Sequence, residues 1–236
     1  MRNSTRRALV TMVLGGLLVE TTVASELSYT LLDFQAIQQD LPEFGSQEPV
    51  PGQIVDIEGQ SGEGIGIEGS LAIGERFYAG GSFKSSILDV MGTVTNPLGI
   101  TDVTDEFDSI SSRVYVGYLQ PIGANFDLIF ELSADSREYD FGSFAGESFD
   151  VSESGAGAQI GFRWNPTPAF ELFSYARFSE VGDVDLNTLQ LEADESLRLG
   201  MLWYFFEDLG LGVNIESGSI DTVSVTMRFS FGNLPW

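Results

Sequence analysis

Beyond residue 60 the chain consists of runs in which every second residue is apolar, and this period of two confines it to β-structure. In "DTVSVTMRFSF", Asp221 to Phe231, the residues Val223, Val225, Met227, Phe229 and Phe231 share one face of an extended strand. Ser224, Thr226, Arg228 and Ser230 occupy the other. Likewise Ile65, Ile67, Leu71 and Ile73 oppose Gly64, Gly66, Glu68 and Ser70. Ten such runs are readable, near 27–37, 62–73, 77–88, 109–119, 126–137, 153–164, 169–180, 190–204, 209–216 and 222–231. Most approach the roughly 9 to 11 residues that a tilted membrane strand needs.

Periodicity alone fits a soluble sandwich as well as a membrane barrel, because each has one wet face and one dry face. The residues on the polar face decide between them. Lys84, Arg113, Arg137, Arg163, Arg177, Arg198 and Arg228 all fall on that face within strands, and beyond the leader described below only Arg76 falls in a turn. Lys84 is the single lysine, whereas a soluble surface would scatter lysines over strands and loops alike. Arginine interleaved with Glu68, Asp127, Glu131, Glu171 and Glu216 reads as an enclosed ion-pair lattice, in which planar guanidinium groups fork onto carboxylates. Glycines on the same face leave room for these long side chains. No segment past the leader resembles a transmembrane helix, so a spanning chain must close its sheet into a barrel. The fold expected is all-β: a transmembrane antiparallel up-and-down barrel of ten strands, with eight as the alternative if the first run and one other lie outside the wall.

The connections sort into two kinds. Those at "GER", "QPIGAN", "NPTPA" and "FFED" are short, while those near 38–61, 89–108, 138–152 and 181–189 are long and acidic; "SGSID" is a short exception. This asymmetry, with an even strand number, puts both termini at the periplasmic side. Phe77, Tyr78, Tyr118, Phe126, Trp164, Phe170 and the run Trp203 to Phe206 flank the short turns, where an aromatic girdle is expected.

The opening "MRNSTRRALVTMVLGGLLVETTVAS" has Arg2, Arg6 and Arg7 before a short apolar run and then small residues, which is the layout of a secretory signal cut before Glu26. The expected organisation is a leader at 1–25 and one barrel domain at 26–236. Without cysteine the chain has neither disulfides nor the acylated N-terminal cysteine of a lipoprotein. Its formal net charge of −24 becomes more negative once the leader is removed, which argues against nucleic acid as a partner.

The hairpins "GEGIGIEGSLAIGERFYAGGSF" and "VYVGYLQPIGANFDLIFELS", with the closing "FFEDLGLGVNIESGSIDTVSVTMRFSF", resemble repeated units of the small outer-membrane β-barrel proteins of Gram-negative bacteria, of the porin-like and OmpA-like kind and including poorly characterised members. The resemblance covers Ser61 to Phe231 best and the first strand less well. It implies an outer-membrane location, with outer-membrane lipid and lipopolysaccharide as surroundings and the barrel-assembly machinery as a partner during biogenesis. Val223, Val225, Met227, Phe229 and Phe231 are similar to the C-terminal assembly signal, from which the chain departs by adding "GNLPW".

The chain contains no histidine, which removes Ser-His and Cys-His nucleophilic sites, histidine metal sites and the usual histidine bases. Neither an enzyme nor a cofactor is expected. A carboxylate pair such as Glu131 with Glu171 would be the residual acid/base candidate, but neutralisation of Arg163 and Arg177 is the simpler role. Asp102, Asp105, Glu106 and Asp108 crowd one acidic stretch and are the candidates for divalent cations shared with lipopolysaccharide, although their spacing is not that of a calcium loop. Asp140, Glu147, Asp150 and Glu153 form a second such stretch, and Asp183, Asp185, Asp194 and Glu195 a third. Two functions fit: a structural or surface-interaction barrel with a charged, packed lumen and acidic extracellular loops, or a narrow cation-preferring channel for small solutes.

Overall fold

The computed structural model describes residues 27–40, 45–50, 53–97, 99–144, 147–182, 184–185, 190–191 and 193–231. The leader at 1–25, Asp183 and the "GNLPW" tail from residue 232 lie outside the described residues. Among the described residues thirteen strands follow one another: β1 (Leu31–Asp40), β2 (Gly45–Val50), β3 (Gln53–Ile73), β4 (Phe77–Asn96), β5 (Gly99–Gly123), β6 (Phe126–Phe144), β7 (Glu147–Thr167), β8 (Phe170–Ser179), β9 (Val184–Asp185), β10 (Gln190–Leu191), β11 (Asp194–Phe206), β12 (Leu209–Ser217) and β13 (Asp221–Ser230).

Ten of these close a barrel in the order β1-β13-β12-β11-β8-β7-β6-β5-β4-β3 and back to β1. Every neighbouring pair is antiparallel. Closure is made by β1, which pairs Leu31 with Ser230 on one side and with Ser70 on the other. The ten-stranded expectation is met, and the eight-stranded alternative falls because the first run is a full member of the wall. β2 adds to the upper part of β3, and β9 with β10 forms a separate two-stranded ribbon.

The faces of the wall are inverted relative to a soluble protein. Ile65 is 70% exposed and Leu132 67%, and the outward sides of all ten strands carry exposed apolar residues of this kind, Phe34, Val114, Phe178, Leu199, Val213 and Val225 among them. A contiguous apolar surface this large is matched to lipid rather than water. Polar and charged side chains point inward, and along β13 Thr222, Ser224, Thr226, Arg228 and Ser230 are buried while Val223, Val225 and Met227 are exposed. Of the assembly-signal residues, Phe229 is half-buried and Phe231 exposed just past the strand end. Phe229 meets Phe34 of β1 edge to face at 6.1 Å.

The barrel is tall on one side only. β3 to β7 run 19 to 25 residues each, whereas β8, β11, β12, β13 and β1 run 9 to 13. The stretches 89–108 and 138–152 are therefore not the long loops expected from sequence: β4 and β5 stay paired from Phe77↔Tyr118 up to Asn96↔Gly99. A two-sided sheet in water needs no apolar alternation, so a polar strand there looks like a loop in sequence. Gly99, with φ of 149°, turns the chain at that tip, and Gly74, with φ of 71°, turns it between β3 and β4.

The short turns gather at one end, at Gly74–Arg76, 124–125, 168–169 and 207–208. Both described chain ends lie there too, since the Phe231 amide donates to the Thr30 carbonyl (2.9 Å). Phe77, Trp164, Trp203, Phe205 and Phe206 face outward near these turns, and Trp203 and Phe205 pack at 4.7 Å. Tyr78 and Tyr204 do not join this girdle, because their strand positions point them into the lumen.

Candidate functional site

The lumen has three levels. At the short-turn end Arg228 of β13 forks onto Asp33 of β1, Nε to Oδ1 at 2.8 Å and Nη2 to Oδ2 at 2.7 Å. Its Nη1 donates to Glu171 of β8 at 2.9 Å. Glu171 accepts a second fork from Arg163 of β7, with both bonds at 2.8 Å, and a bond from the Tyr204 hydroxyl at 2.9 Å. Glu171 and Asp127 are 0% exposed and Asp33 1%. Burying so many charges carries a large desolvation cost, which is offset only because the carboxylates and guanidiniums are matched in geometry and nearly every lone pair is used.

The middle level is built from tyrosines and one carboxylate. Tyr78 and Tyr115 pack edge to face at 6.0 Å, and Tyr29 lies 5.1 Å from Tyr78. Glu131 of β6 accepts from the Tyr78 hydroxyl, from Arg113 Nη2 (2.6 Å) and from Gln159 Nε2 (2.9 Å). Leu119 and Ile129 complete this layer. The rings are seated by glycine on the neighbouring strand. A Cβ on Gly117 would lie 2.2 Å from carbons of the Tyr78 ring, and one on Gly200 would lie 2.2 Å from Phe173. The lumen glycines thus leave room for aromatic faces as well as for arginine.

The third level, toward the tall hairpins, is wetter. Lys84 and Glu216 pair at 3.4 Å with side chains 25% and 18% exposed. Arg198 reaches Glu68 at 3.4 Å and Asn214 Oδ1 at 3.1 and 3.2 Å. Arg177 donates to Asp135 at 2.9 Å, and the Ser179 hydroxyl does so at 2.7 Å. Arg137 donates to the Gly182 carbonyl and to the Tyr139 hydroxyl (3.3 Å). A cavity of about 70 Å³ lies among these groups, lined also by Ser86, Ser109 and Ser196.

All eleven residues read as a lattice from sequence point into this lumen, although not in the combinations expected. Asp127 of β6 is bonded to the Tyr29 hydroxyl (2.9 Å). Glu171 does take Arg163, but Glu131 takes Arg113, and the partner of Arg177 is Asp135. Glu131 and Glu171 thus have separate sets of partners, which does not suit a cooperating acid and base.

Asp102, Asp105, Glu106 and Asp108 lie along β5 instead of around a loop. Asp105 faces the side opposite to Asp102, Glu106 and Asp108, so the four do not converge, and among the described residues no group of three or more acidic side chains is placed to hold a metal ion. Asp108 instead stands directly across from Asp140 on β6, and Asp140 from Asp150 on β7. In the third acidic stretch Asp194 Oδ1 accepts from the Ser219 amide at 3.1 Å.

No family model matches the sequence, and no curated protein matches it significantly. Its structural neighbours are outer-membrane β-barrel proteins. The translocator domain of the autotransporter NalP from Neisseria meningitidis aligns with a TM-score of 0.49 at 12% identity, over 98% of this chain and 95% of that one. The KdgM porin aligns at 0.44 and 9% identity, over 85% and 99%. The attachment invasion locus protein Ail of Yersinia pestis aligns at 0.40 and 13%, over 85% and 99%.

Sequence reasoning missed three parts of the lumen. Asp135 shares the strand parity of Asp127 and Glu131, and parity alone would have found it. Asp33 lies on the inward side of β1, the run with the least regular alternation. The third part is Leu27 to Thr30, expected as the start of a strand. The wall begins only at Leu31, and these four residues turn into the barrel.

Proposed function

We propose that this chain is an outer-membrane barrel closed at its periplasmic end, which anchors a tall, acidic five-stranded sheet on the cell exterior and serves as a structural or surface-interaction protein. The observation that carries this reading is the first lumen level, where Glu171, Asp33, Arg163 and Arg228 form forked, buried ion pairs and the buried Leu27 to Thr30 segment, bonded to Arg163, lies across the lumen beside them. The outward apolar belt supplies the membrane anchor. In this reading the end with the short turns and both described chain ends is periplasmic, and the projecting parts of β4 to β7 carry Asp102, Asp108, Asp140 and Asp150 outside. Lipid, lipopolysaccharide and the assembly machinery are the partners this placement requires, and divalent cations would act as diffuse counterions rather than in a built site.

Cysteine labelling tests the orientation, and the natural absence of cysteine makes it clean. Pro97→Cys, at the hairpin tip between β4 and β5, should react with a membrane-impermeant maleimide on intact cells. Glu75→Cys, in the short turn between β3 and β4, should react only after the outer membrane is permeabilised. The reverse pattern would place the tall sheet in the periplasm and overturn the surface role.

A further inference from the structure

The four residues before β1 occupy a place that no strand needs. Leu27 and Tyr29 are 4% and 3% exposed, inside a lumen whose wall is complete without them. The Ser28 carbonyl accepts from Arg163 Nη1 at 2.9 Å. Arg163 belongs to β7, on the opposite side of the ten-strand circuit from β1, so the backbone reaches across the barrel. The Tyr29 hydroxyl donates to Asp127 of β6, and the Arg163 guanidinium stacks over the Tyr29 ring at 4.5 Å. On the near side, Ser70 Oγ donates to the Tyr29 carbonyl at 2.8 Å, and the Ala72 amide donates to Thr30 Oγ1 at 3.3 Å.

Together with the ion pairs and the tyrosine layer, the segment lies between two spaces. Below it, at the short-turn end, lies a pocket of about 240 Å³ lined by Leu27, Ser28, Asn125, Asn165, Glu171 and Tyr204. Above it, past the tyrosine layer, lies the wet third level, where Lys84 and Arg177 are 25% and 22% exposed. The ladders of β1 begin only at Leu31, so the wall stays paired without this segment. Its loss would take the Tyr29 hydroxyl from Asp127 and the Ser28 carbonyl and Tyr29 ring from Arg163, and thin the aromatic layer by one ring.

We propose that the closed barrel is a latent channel and that Leu27 to Thr30 is its stopper. This rests on the closed reading above and adds an activity to it: ion passage when the segment is withdrawn. The passage would prefer cations, because Asp33, Asp127, Glu131 and Glu171 line it against Arg113, Arg163 and Arg228.

The test is single-channel recording in potassium chloride on the refolded full-length barrel, comparing the natural chain with Leu27→Ala/Tyr29→Ala. The natural chain should be silent, and the variant should show discrete, cation-selective steps while remaining heat-modifiable on gels. A folded but silent variant would overturn the stopper and leave the closed reading standing, whereas a conducting natural chain would overturn both. Should the double variant fail to fold, Ser28→Cys in the folded barrel, reacted with a bulky thiol reagent, levers the segment out instead. Conductance appearing with labelling supports the stopper, and silence after complete labelling refutes it.

Discussion

Glu171 joins the two sides of the barrel, and its neutralisation is the severest single test of the lumen. In Glu171→Gln the shape is kept, but the carboxylate that takes a double fork from Arg163 and a bond from Arg228 is gone. Arg228 retains Asp33, whereas Arg163 is left buried with neutral acceptors in place of its bonded carboxylate: the Gln amide oxygen, the Ser28 carbonyl and the Tyr29 ring. Breaking a fully buried pair in this way costs about 3 to 5 kcal/mol. Glu216→Gln removes an equivalent charge from the wet level, where both partners are partly solvated, and should cost about 1 kcal/mol or less. Urea unfolding in lipid bilayers, followed by tryptophan fluorescence and gel mobility, gives both values. Combining Glu171→Gln with Arg163→Met should cost less than the sum of the two single changes, because the stranded charge is removed with its partner. Equal losses for Glu171→Gln and Glu216→Gln, or strict additivity in the double variant, would refute a solvent-free ion-pair floor.

Other outcomes follow from the same structure. Met227→Arg, on the lipid face, should cost about 2 to 4 kcal/mol and reduce membrane insertion, whereas Thr226→Ser should leave insertion unchanged; an insertion assay reads both. Gly117→Ala should destabilise the barrel by about 1 to 3 kcal/mol, because the new methyl meets the Tyr78 ring; Gly123→Ala, where nothing lies within 4 Å, should be neutral in the same urea titration. Asp108→Asn should stabilise the projecting sheet by up to about 1 kcal/mol at low salt, since it relieves a carboxylate directly opposite Asp140; protease resistance of the hairpins measures this, and the gain should vanish in high salt.

The sequence disclosed most where one physical requirement acted on each residue in turn. Inside the bilayer every strand must show apolar groups to lipid and hide polar ones, so Val223 to Met227 and Ile65 to Leu71 could be assigned to a face, and the strands counted, from parity alone. Above the bilayer that requirement lapses. Asp102 to Asp108 lie on a fully paired strand but carry no alternation to reveal it. Pairing inside the lumen was equally hidden, because which guanidinium meets which carboxylate depends on register and strand neighbours. Arg177 meets Asp135 because β8 lies beside β7 and β7 beside β6, an order that no spacing along the chain records. Ile129 and Leu119 point inward despite being apolar, which breaks the binary rule where the tyrosine layer needs a dry neighbour.

The central claim is that the faces of the wall are inverted, with apolar residues meeting lipid and charges meeting one another. Single cysteines placed in turn from Thr222 to Ser230, labelled with a small fluorophore in bilayers containing brominated lipid, test it most directly. Quenching should rise at Val223, Val225 and Met227 and fall at Thr222, Ser224, Thr226 and Arg228. Uniform quenching, or strong quenching at the even positions, would contradict it.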